Sequence, residues 1–159
     1  AKVIGNGCPL AAVVTTKEIA KSMTEAVHFN TFGGNPVSCA QGLASLEVIL
    51  EDDMQGNSKC LGNTLLDGLR KLQKKYACIG DVRGKGLMVG IELVEDENNT
   101  PASKLTVDAI ETCKDMGLLV GKGGFYGNVL RITPPMCVTE EDINFIVDVL
   151  DDVFAKETT

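Results

Sequence analysis

The chain has 159 residues, of which 15 are Lys or Arg and 22 are Asp or Glu, so its formal net charge at pH 7 is −7. This length fits one domain, or one domain with part of a second, and the 44% hydrophobic, 23% charged composition is that of a globular protein. The acidic balance argues against binding to nucleic acid or to anionic lipid, both of which need basic surfaces. No apolar run reaches the ~18 residues of a membrane helix, and the first residues do not resemble a signal peptide, so we expect a soluble protein.

The cysteine and histidine content indicates no metal centre. His28 is the only histidine, which excludes a His-rich zinc site, and the six cysteines form no C-x-x-C pair. Their wide spacing fits buried free thiols in a reducing compartment better than a disulfide framework.

The first half of the chain contains one predicted strand and three predicted helices. The apolar run at 10–15 has the length of a buried strand, and Thr16 begins a short helix-like stretch at 17–23. After a glycine-containing loop at 29–36, Asn35 and Pro36 are typical of an N-cap and a first helical position. Helical spacing then predicts two amphipathic helices, the second of which starts near Ser58. The apolar positions of the first are Cys39, Leu43, Leu46 and Leu50, and those of the second are Leu61, Leu65, Leu69 and Leu72.

The second half alternates between strand and helix patterns. Apolar residues at every second position predict a strand over 87–93, and a polar loop at 95–103 separates it from a helix over 105–116 that Gly117 closes. A short strand at 118–120, the glycine-rich connection at 121–128, a strand at 129–133 and a helix that begins at Thr139 follow. In that last helix Asp142 occupies the capping-box position, and Ile143, Ile146, Leu150 and Val153 form the apolar stripe.

This order of elements predicts an α/β fold. From about residue 75 it reads strand, helix, strand, strand, helix, which is typical of a two-layer unit with helices on a small sheet. The two preceding helices would connect this unit to a larger neighbour.

The glycine-lysine cluster at 80–86 does not match a nucleotide-binding motif. It is one residue short of the phosphate loop and lacks Ser or Thr after the lysine, and the glycines at 84, 86 and 90 lead into a strand rather than a helix. We interpret these glycines as turn and packing residues. The Asn98-Asn99-Thr100 sequon is interpreted as a polar loop.

Three residues are candidates for chemistry. Lys2 precedes a glycine-asparagine loop rather than lying on a charged helix face. Thr31 lies in a loop whose backbone N–H groups and following helix N-terminus suit an anion. In the strand at 129–133 the pleat turns Arg131 away from Leu130 and Ile132, so its guanidinium is free to bind a carboxylate with two parallel hydrogen bonds. From the residues alone, a purely structural interpretation is favoured for each of them: a surface lysine, a turn threonine and a sheet-edge arginine.

Four segments, AKVIGNGCPLAAVVTT, HFNTFGGNPVSCAQG, IGDVRGKGLMVGIEL and NVLRITPPMCVTEEDI, resemble successive blocks of the class III (ω-) aminotransferases, in particular their mitochondrial alanine–glyoxylate type. The resemblance extends over essentially the whole chain, but it covers only the C-terminal portion of that family. It implies the fold of a pyridoxal-phosphate-dependent type I transferase, with the tail of the large domain over 1–55 and the small α/β domain over 56–159.

The resemblance also implies roles for the three candidates. Lys2 matches the catalytic lysine that forms a Schiff base with pyridoxal 5'-phosphate. Thr31 matches the threonine that binds the cofactor phosphate of a neighbouring subunit, which implies a homodimer or homotetramer. Arg131 matches the arginine that binds the substrate α-carboxylate. The implied reaction moves an amino group from an alanine-like amino acid to an oxo acid such as glyoxylate or pyruvate, in the mitochondrial matrix or otherwise in the cytoplasm.

Two other functions stay open. Amino-alcohol-phosphate phospho-lyases have similar blocks, but they hold a phosphate group instead of an α-carboxylate, and Arg131 favours the transaminase.

The family's phosphate-cradling glycine loop, its ring-stacking aromatic residue and the aspartate that pairs with the pyridine nitrogen are not in this sequence, so we expect the chain alone to be inactive. It would then be a non-catalytic interaction fragment, with the helices at 38–50 and 58–75 exposing a face for dimerisation.

Overall fold

The computed structural model describes residues 4–25 and 28–157, with five helices and four strands in the described part. The helices are α1 (Lys17–Ser22), α2 (Pro36–Glu51), α3 (Met54–Lys75), α4 (Ser103–Asp115) and α5 (Glu140–Glu157), and the strands are β1 (Ile79–Lys85), β2 (Met88–Leu93), β3 (Gly121–Gly123) and β4 (Val129–Ile132). The chain forms two compact units that divide between Asp53 and Met54.

The first unit consists of α1, α2 and the loops around them. The Thr16 side chain accepts a hydrogen bond from the Ile19 N–H at the start of α1. Asn35 caps α2 as predicted, because its Oδ1 accepts a hydrogen bond from the Ser38 N–H at 3.0 Å, and Pro36 fills the first helical position.

The predicted strand over 10–15 is wrong. The segment forms no strand, and Val13 and Val14 are 92% and 96% exposed. A strand needs partners for its backbone N–H and C=O groups, and no described strand pairs with this run. Apolar composition alone therefore did not determine its conformation.

The second unit is a four-stranded antiparallel sheet in the order β1-β2-β4-β3, with helices on one face. The helices α3 and α4 contact the strands, and α5 packs against both of them. The core lies between these layers, and its fully buried side chains include Leu65, Leu69, Ile91, Leu93, Leu130, Ile143, Leu150, Val153 and Phe154. The predicted two-layer arrangement is confirmed.

The strand β1 was not predicted from the sequence. Ile79 and Val82 are both buried although they are three residues apart, because the register between β1 and β2 shifts between Ile79 and Asp81. This bulge hides the two-residue period by which the strand over 87–93 was recognised. The glycines of the rejected phosphate loop lie in β1 and in its turn to β2, where Gly86 has a φ of 56°.

Two boundaries also differ from the prediction. The helix expected from Ser58 begins at Met54, and the short strand expected at 118–120 lies instead at Gly121–Gly123. The Gly-Lys-Gly segment forms the strand because its backbone pairs with β4, whereas the side chain of Leu118 is buried and that of Leu119 is 83% exposed. Thr139 and Asp142 make the predicted capping interaction at the start of α5, with Asp142 N–H donating to Thr139 Oγ1 at 3.2 Å.

The apolar stripes of the two predicted amphipathic helices differ in burial. In α3, Leu65, Leu69 and Leu72 are buried, so the suggestion that the helix at 58–75 exposes an interaction face is wrong. In α2, Cys39 and the three leucines at 43, 46 and 50 are exposed. Of the six free cysteines only Cys113 is buried, and three are exposed, which corrects the expectation of buried thiols. No helix among residues 4–25 and 28–157 is long and apolar enough to cross a membrane.

Candidate functional site

The loop that carries Thr31 is organised by two asparagines. Asn30 Oδ1 accepts a hydrogen bond from the Phe32 N–H at 3.2 Å, and the Asn30 backbone oxygen accepts one from the Gly33 N–H at 3.0 Å. Asn35 Nδ2 donates to the Phe32 carbonyl at 2.9 Å. These bonds form two consecutive turns that end at the start of α2 and leave the Thr31 side chain exposed.

Unused hydrogen-bond donors remain at this loop. Neither the hydroxyl nor the N–H of Thr31 has a partner among residues 4–25 and 28–157. At the start of α2, Pro36 has no N–H and the Ser38 N–H is capped by Asn35, so the Val37 N–H is also left without a partner in the described chain. Hydroxyl and backbone donors next to a helix N-terminus suit a phosphate group.

The segment that follows Lys2 packs against α2. Lys2 itself lies outside the described residues. The turn over 5–8 is closed by a hydrogen bond from the Cys8 N–H to the Gly5 carbonyl at 3.2 Å, and Cys8 Sγ lies 3.1 Å from the hydroxyl oxygen of the buried Ser38. Leu10 packs at Gly42, where an added Cβ would collide with it. These contacts attach the segment after Lys2 to the helix that begins beside the Thr31 loop.

In the second unit, Arg131 lies on the exposed face of the sheet in β4, between two glycines. Gly90 of β2 and Gly121 of β3 are its partners in the two neighbouring strands. The flanking residues Leu130 and Ile132 are buried, so the predicted orientation of Arg131 is confirmed.

Arg131 is also the arginine without a counter-ion. Of the three arginines in the sequence, Arg70 pairs with Asp67 at 3.4 Å, and Arg83 pairs with both Asp81 and Glu92 at 2.7 Å. No carboxylate of the described residues contacts the Arg131 guanidinium, whose five donors remain available for a ligand.

A cavity of about 400 Å³ adjoins Arg131. Its lining is mostly apolar, with Arg131 as its cationic group, and it includes Gly121, Pro135, Phe145 and Ile146. Among its other lining residues is Asp142, whose pKa is lowered because the Thr139 N–H and hydroxyl donate hydrogen bonds to its carboxylate. An apolar cavity with one unpaired guanidinium is suited to a small organic anion.

The three predicted site residues are distributed over different parts of the chain. Thr31 lies in the first unit and Arg131 lies in the second. Lys2 is outside the described residues, so its position relative to the other two is not described. Sequence reasoning missed the pairing of Arg131 with Gly90 and Gly121. The glycine-rich segment at 121–128 was a signal for it, but the register that places Gly121 opposite Arg131 is not readable from one strand. Among the described residues, no group of His, Cys, Asp or Glu side chains is arranged to hold a metal ion.

The sequence pattern of the family described as aminotransferase class-III matches residues 1–154. The chain belongs to the class-III aminotransferases. These are pyridoxal-phosphate enzymes of fold type I, so this membership agrees with the cofactor, fold and enzyme class that the resemblance implied.

Individual relatives of this aminotransferase chain carry two different activities in their names. It is 50% identical over 157 residues to the mitochondrial "Alanine--glyoxylate aminotransferase 2 homolog 2" of Arabidopsis thaliana. This alignment covers 98% of this chain and 33% of the relative. It is 43% identical over 155 residues to "Ethanolamine-phosphate phospho-lyase homolog 1" of Caenorhabditis elegans, over 96% of this chain and 33% of the relative. The chain therefore spans about a third of the length of these curated relatives.

A solved structure has the same fold. A phospholyase from Arthrobacter in complex with phosphoethanolamine matches with a TM-score of 0.88 and 36% identity, over 96% of this chain and 36% of that one. The arrangement of helices and strands described above is therefore that of about one third of a complete fold-type-I enzyme.

Proposed function

We propose that this chain is the C-terminal part of an aminotransferase that moves an amino group from an alanine-like amino acid to an oxo acid such as glyoxylate or pyruvate. In this proposal residues 1–55 are the tail of the large domain and residues 56–159 are the small domain. In this proposal the complete enzyme is also a homodimer or homotetramer of the mitochondrial matrix. The word mitochondrial in the names of its relatives supports a mitochondrial location.

The single observation that carries the proposal is the unpaired guanidinium of Arg131 at an apolar cavity. An amino acid substrate presents an α-carboxylate and, for alanine, one methyl group. A guanidinium binds a carboxylate through two parallel hydrogen bonds, which fixes the orientation of the substrate as well as its position. The other two arginines already have carboxylate partners, so Arg131 is the arginine best suited to this role.

In the proposed reaction Thr31, Arg131 and Lys2 have different roles. Pyridoxal phosphate, when bound, supplies an electron sink that stabilises negative charge on the α-carbon of the amino acid. Thr31 would donate hydrogen bonds to the phosphate of the cofactor in the neighbouring subunit, and Arg131 holds the α-carboxylate so that the Cα–H bond is oriented for proton transfer. The Nζ of Lys2 accepts the α-proton and returns it.

A phospho-lyase acting on an amino-alcohol phosphate is the second candidate. The similarity to the phospho-lyases of Caenorhabditis elegans and Arthrobacter favours it, and a guanidinium also binds phosphate well. The two candidates differ in what Arg131 would hold, a carboxylate in the first and a phosphate in the second.

The decisive experiment assays the full-length gene product that contains this sequence with two substrate pairs. With alanine and glyoxylate we expect pyruvate and glycine to form, and with phosphoethanolamine we expect no release of inorganic phosphate. Phosphate release without transamination would reverse the assignment.

Reduction with borohydride after addition of pyridoxal phosphate is expected to fix the cofactor on the peptide that contains Lys2, whereas the same peptide of the Lys2→Ala enzyme stays unlabelled.

Substitution of Arg131 tests the carboxylate role within the same enzyme. We expect Arg131→Ala to lower kcat/KM for alanine roughly 10²-fold or more, the scale of a lost charge-assisted pair. The matched control is Arg70→Ala, which removes an exposed arginine paired within α3 and is expected to leave the kinetics unchanged. Equal kinetics for the two variants would remove Arg131 from the substrate site.

A further inference from the structure

Gly121 lies directly opposite Arg131 in the pairing of β3 with β4. A Cβ built on Gly121 would lie 3.0 Å from both Nε and Nη2 of Arg131 and 3.4 Å from Cζ. A Cβ on Gly90, the partner of Arg131 on the other side, would meet only Val129 Cγ1, at 3.3 Å. The Arg131 side chain therefore lies across Gly121 and not across Gly90.

This contact occurs at the edge of the cavity, because Gly121 and Arg131 both line it. A Cβ at position 121 would lie closer to the guanidinium than an ordinary van der Waals contact, so the guanidinium would have to shift by a few tenths of an ångström. The backbone itself does not require glycine there, since Gly121 is not among the described glycines with a positive φ. The neighbouring guanidinium, and not the backbone conformation, disfavours a Cβ at this position.

We propose that Gly121 is a positioning residue for Arg131: the side-chain-free position lets the guanidinium lie across β3 at the cavity, where it binds the substrate carboxylate. The inference rests on the proposed function, and it gives the glycine-rich segment at 121–128 a role beyond that of a turn. A larger residue at 121 displaces the guanidinium and leaves its charge and the strand intact.

The chain offers a matched control two residues away on the same strand. Gly123 points to the same face of β3 and also lacks a positive φ, but a Cβ there would meet only the Cβ and carbonyl oxygen of Val129, both at 4.0 Å. Substitution of Gly123 therefore changes the strand as much as substitution of Gly121 does, without touching Arg131. Valine suits both positions because β-branched residues are favoured in strands.

The experiment compares Gly121→Ala, Gly121→Val and Gly123→Val in the full-length gene product, each with Arg131 present and with Arg131→Ala. With Arg131 present, we expect Gly121→Val to lower kcat/KM for alanine roughly ten-fold or more, since small displacements of a positioning group have effects of this size. Gly121→Ala is expected to have a smaller effect in the same direction, and Gly123→Val is expected to stay within about two-fold of the unsubstituted enzyme.

A binding measurement that does not depend on turnover accompanies the kinetics. Propionate carries the carboxylate without an amino group, and we expect its dissociation constant to rise roughly ten-fold in Gly121→Val. In the Arg131→Ala background the same substitution is expected to change neither constant, because the guanidinium through which Gly121 acts is gone. A merely structural role of Gly121 would give the same loss in both backgrounds.

The outcomes separate this inference from the function on which it rests. If Arg131→Ala lowers propionate binding but Gly121→Val does not, the carboxylate role stands and the positioning role of Gly121 is overturned. If Gly121→Val and Gly123→Val have equal effects, or if the loss persists without Arg131, the positioning role is also overturned. If Arg131→Ala changes nothing, the carboxylate assignment fails and this inference fails with it.

Discussion

At the scale of single residues, a cluster of hydrogen bonds joins the end of α3 to α5. The buried Tyr76 has its hydroxyl 2.6 Å from Asp151 Oδ1 and 3.0 Å from the Asp151 backbone oxygen, and Lys75 Nζ lies 2.7 Å and 2.9 Å from the two carboxylate oxygens. The pKa of Asp151 is lowered because Lys75 and Tyr76 donate hydrogen bonds to its carboxylate, and the hydrogen bonds to Asp151 are the largest cause that raises the pKa of Lys75 to about 12.

Removal of the Tyr76 hydroxyl should therefore destabilise the second unit. We expect Tyr76→Phe, which keeps the ring and its contact with Phe154 at 5.8 Å between centroids, to lower the free energy of unfolding by about 1 kcal/mol. Urea denaturation at pH 7 measures this change. Tyr126→Phe is the control, since Tyr126 is 65% exposed, and an effect of equal size there would contradict the role of Tyr76.

The same carboxylate predicts a dependence of stability on pH. Because the pKa of Asp151 in the folded chain is lower than its value of about 3.9 in the unfolded chain, its contribution is fully present above that value. The contribution is lost as the pH falls through the lower folded-state pKa. We expect the difference in unfolding free energy between the unsubstituted chain and Asp151→Asn to be constant near neutral pH and to shrink below about pH 4.

At the scale of the elements, the start of α5 depends on one reciprocal pair. Thr139 Oγ1 lies 2.8 Å from Asp142 Oδ2, the Thr139 N–H donates to the same oxygen at 2.9 Å, and the Asp142 N–H donates back to the hydroxyl. This pair satisfies N–H groups that have no partner inside the helix. Since Asp142 also lines the cavity next to Arg131, the capping pair also fixes the first turn of α5 beside the candidate site.

Loss of this cap should cost stability without changing the fold. We expect Thr139→Ala to lower the free energy of unfolding by about 1 kcal/mol, seen as a lower urea midpoint with an unchanged m-value. Thr64→Ala, at an exposed position within α3, is the control and is expected not to lower the free energy of unfolding, because alanine is the better helix former. A neutral result at Thr139 would mean that the hydrogen bonds to Asp142 add no net stability.

At the scale of the whole molecule, the two units differ in what they bury. Every buried hydrophobic side chain of the described residues lies between Leu65 and Phe154. In the described part of the first unit the buried residues are Gly5, Ser38 and Gly42, while the leucines of α2 are exposed. A helix of this length that buries so little apolar surface is marginal in water.

Hydrogen exchange should therefore divide the chain at the boundary between the units. In the isolated chain we expect the amides of α2 to exchange far faster than those of β2, β4 and α5, whose protection approaches the global stability of the second unit. In the full-length gene product we expect α2 to become protected, since the relatives contain about twice as much additional chain to cover it. Equal protection of α2 and β2 in the isolated chain would contradict this division.

Features that depend on local patterns could be predicted from the amino-acid sequence. Asn35-Pro36 and Thr139 with Asp142 marked helix starts because capping needs only neighbouring residues. The alternation over 87–93 and the leucine stripe of α3 predicted a strand and a buried helix face, and the strand over 129–133 gave the direction of Arg131. Extended motifs over the whole chain also identified the family.

Features that depend on pairing between distant segments became visible only in the folded chain. The bulge in β1 concealed its period, and the Gly-Lys-Gly segment at 121–123 became a strand only because β4 supplied its backbone partners. The apolar run at 10–15 pairs with no strand of the described residues. The register that sets Gly121 opposite Arg131 also depends on pairing between distant segments. Hydrogen bonds and side-chain contacts between residues far apart in sequence form only when the chain has folded. The sequence of one segment does not specify which other segment it pairs with, or in which register.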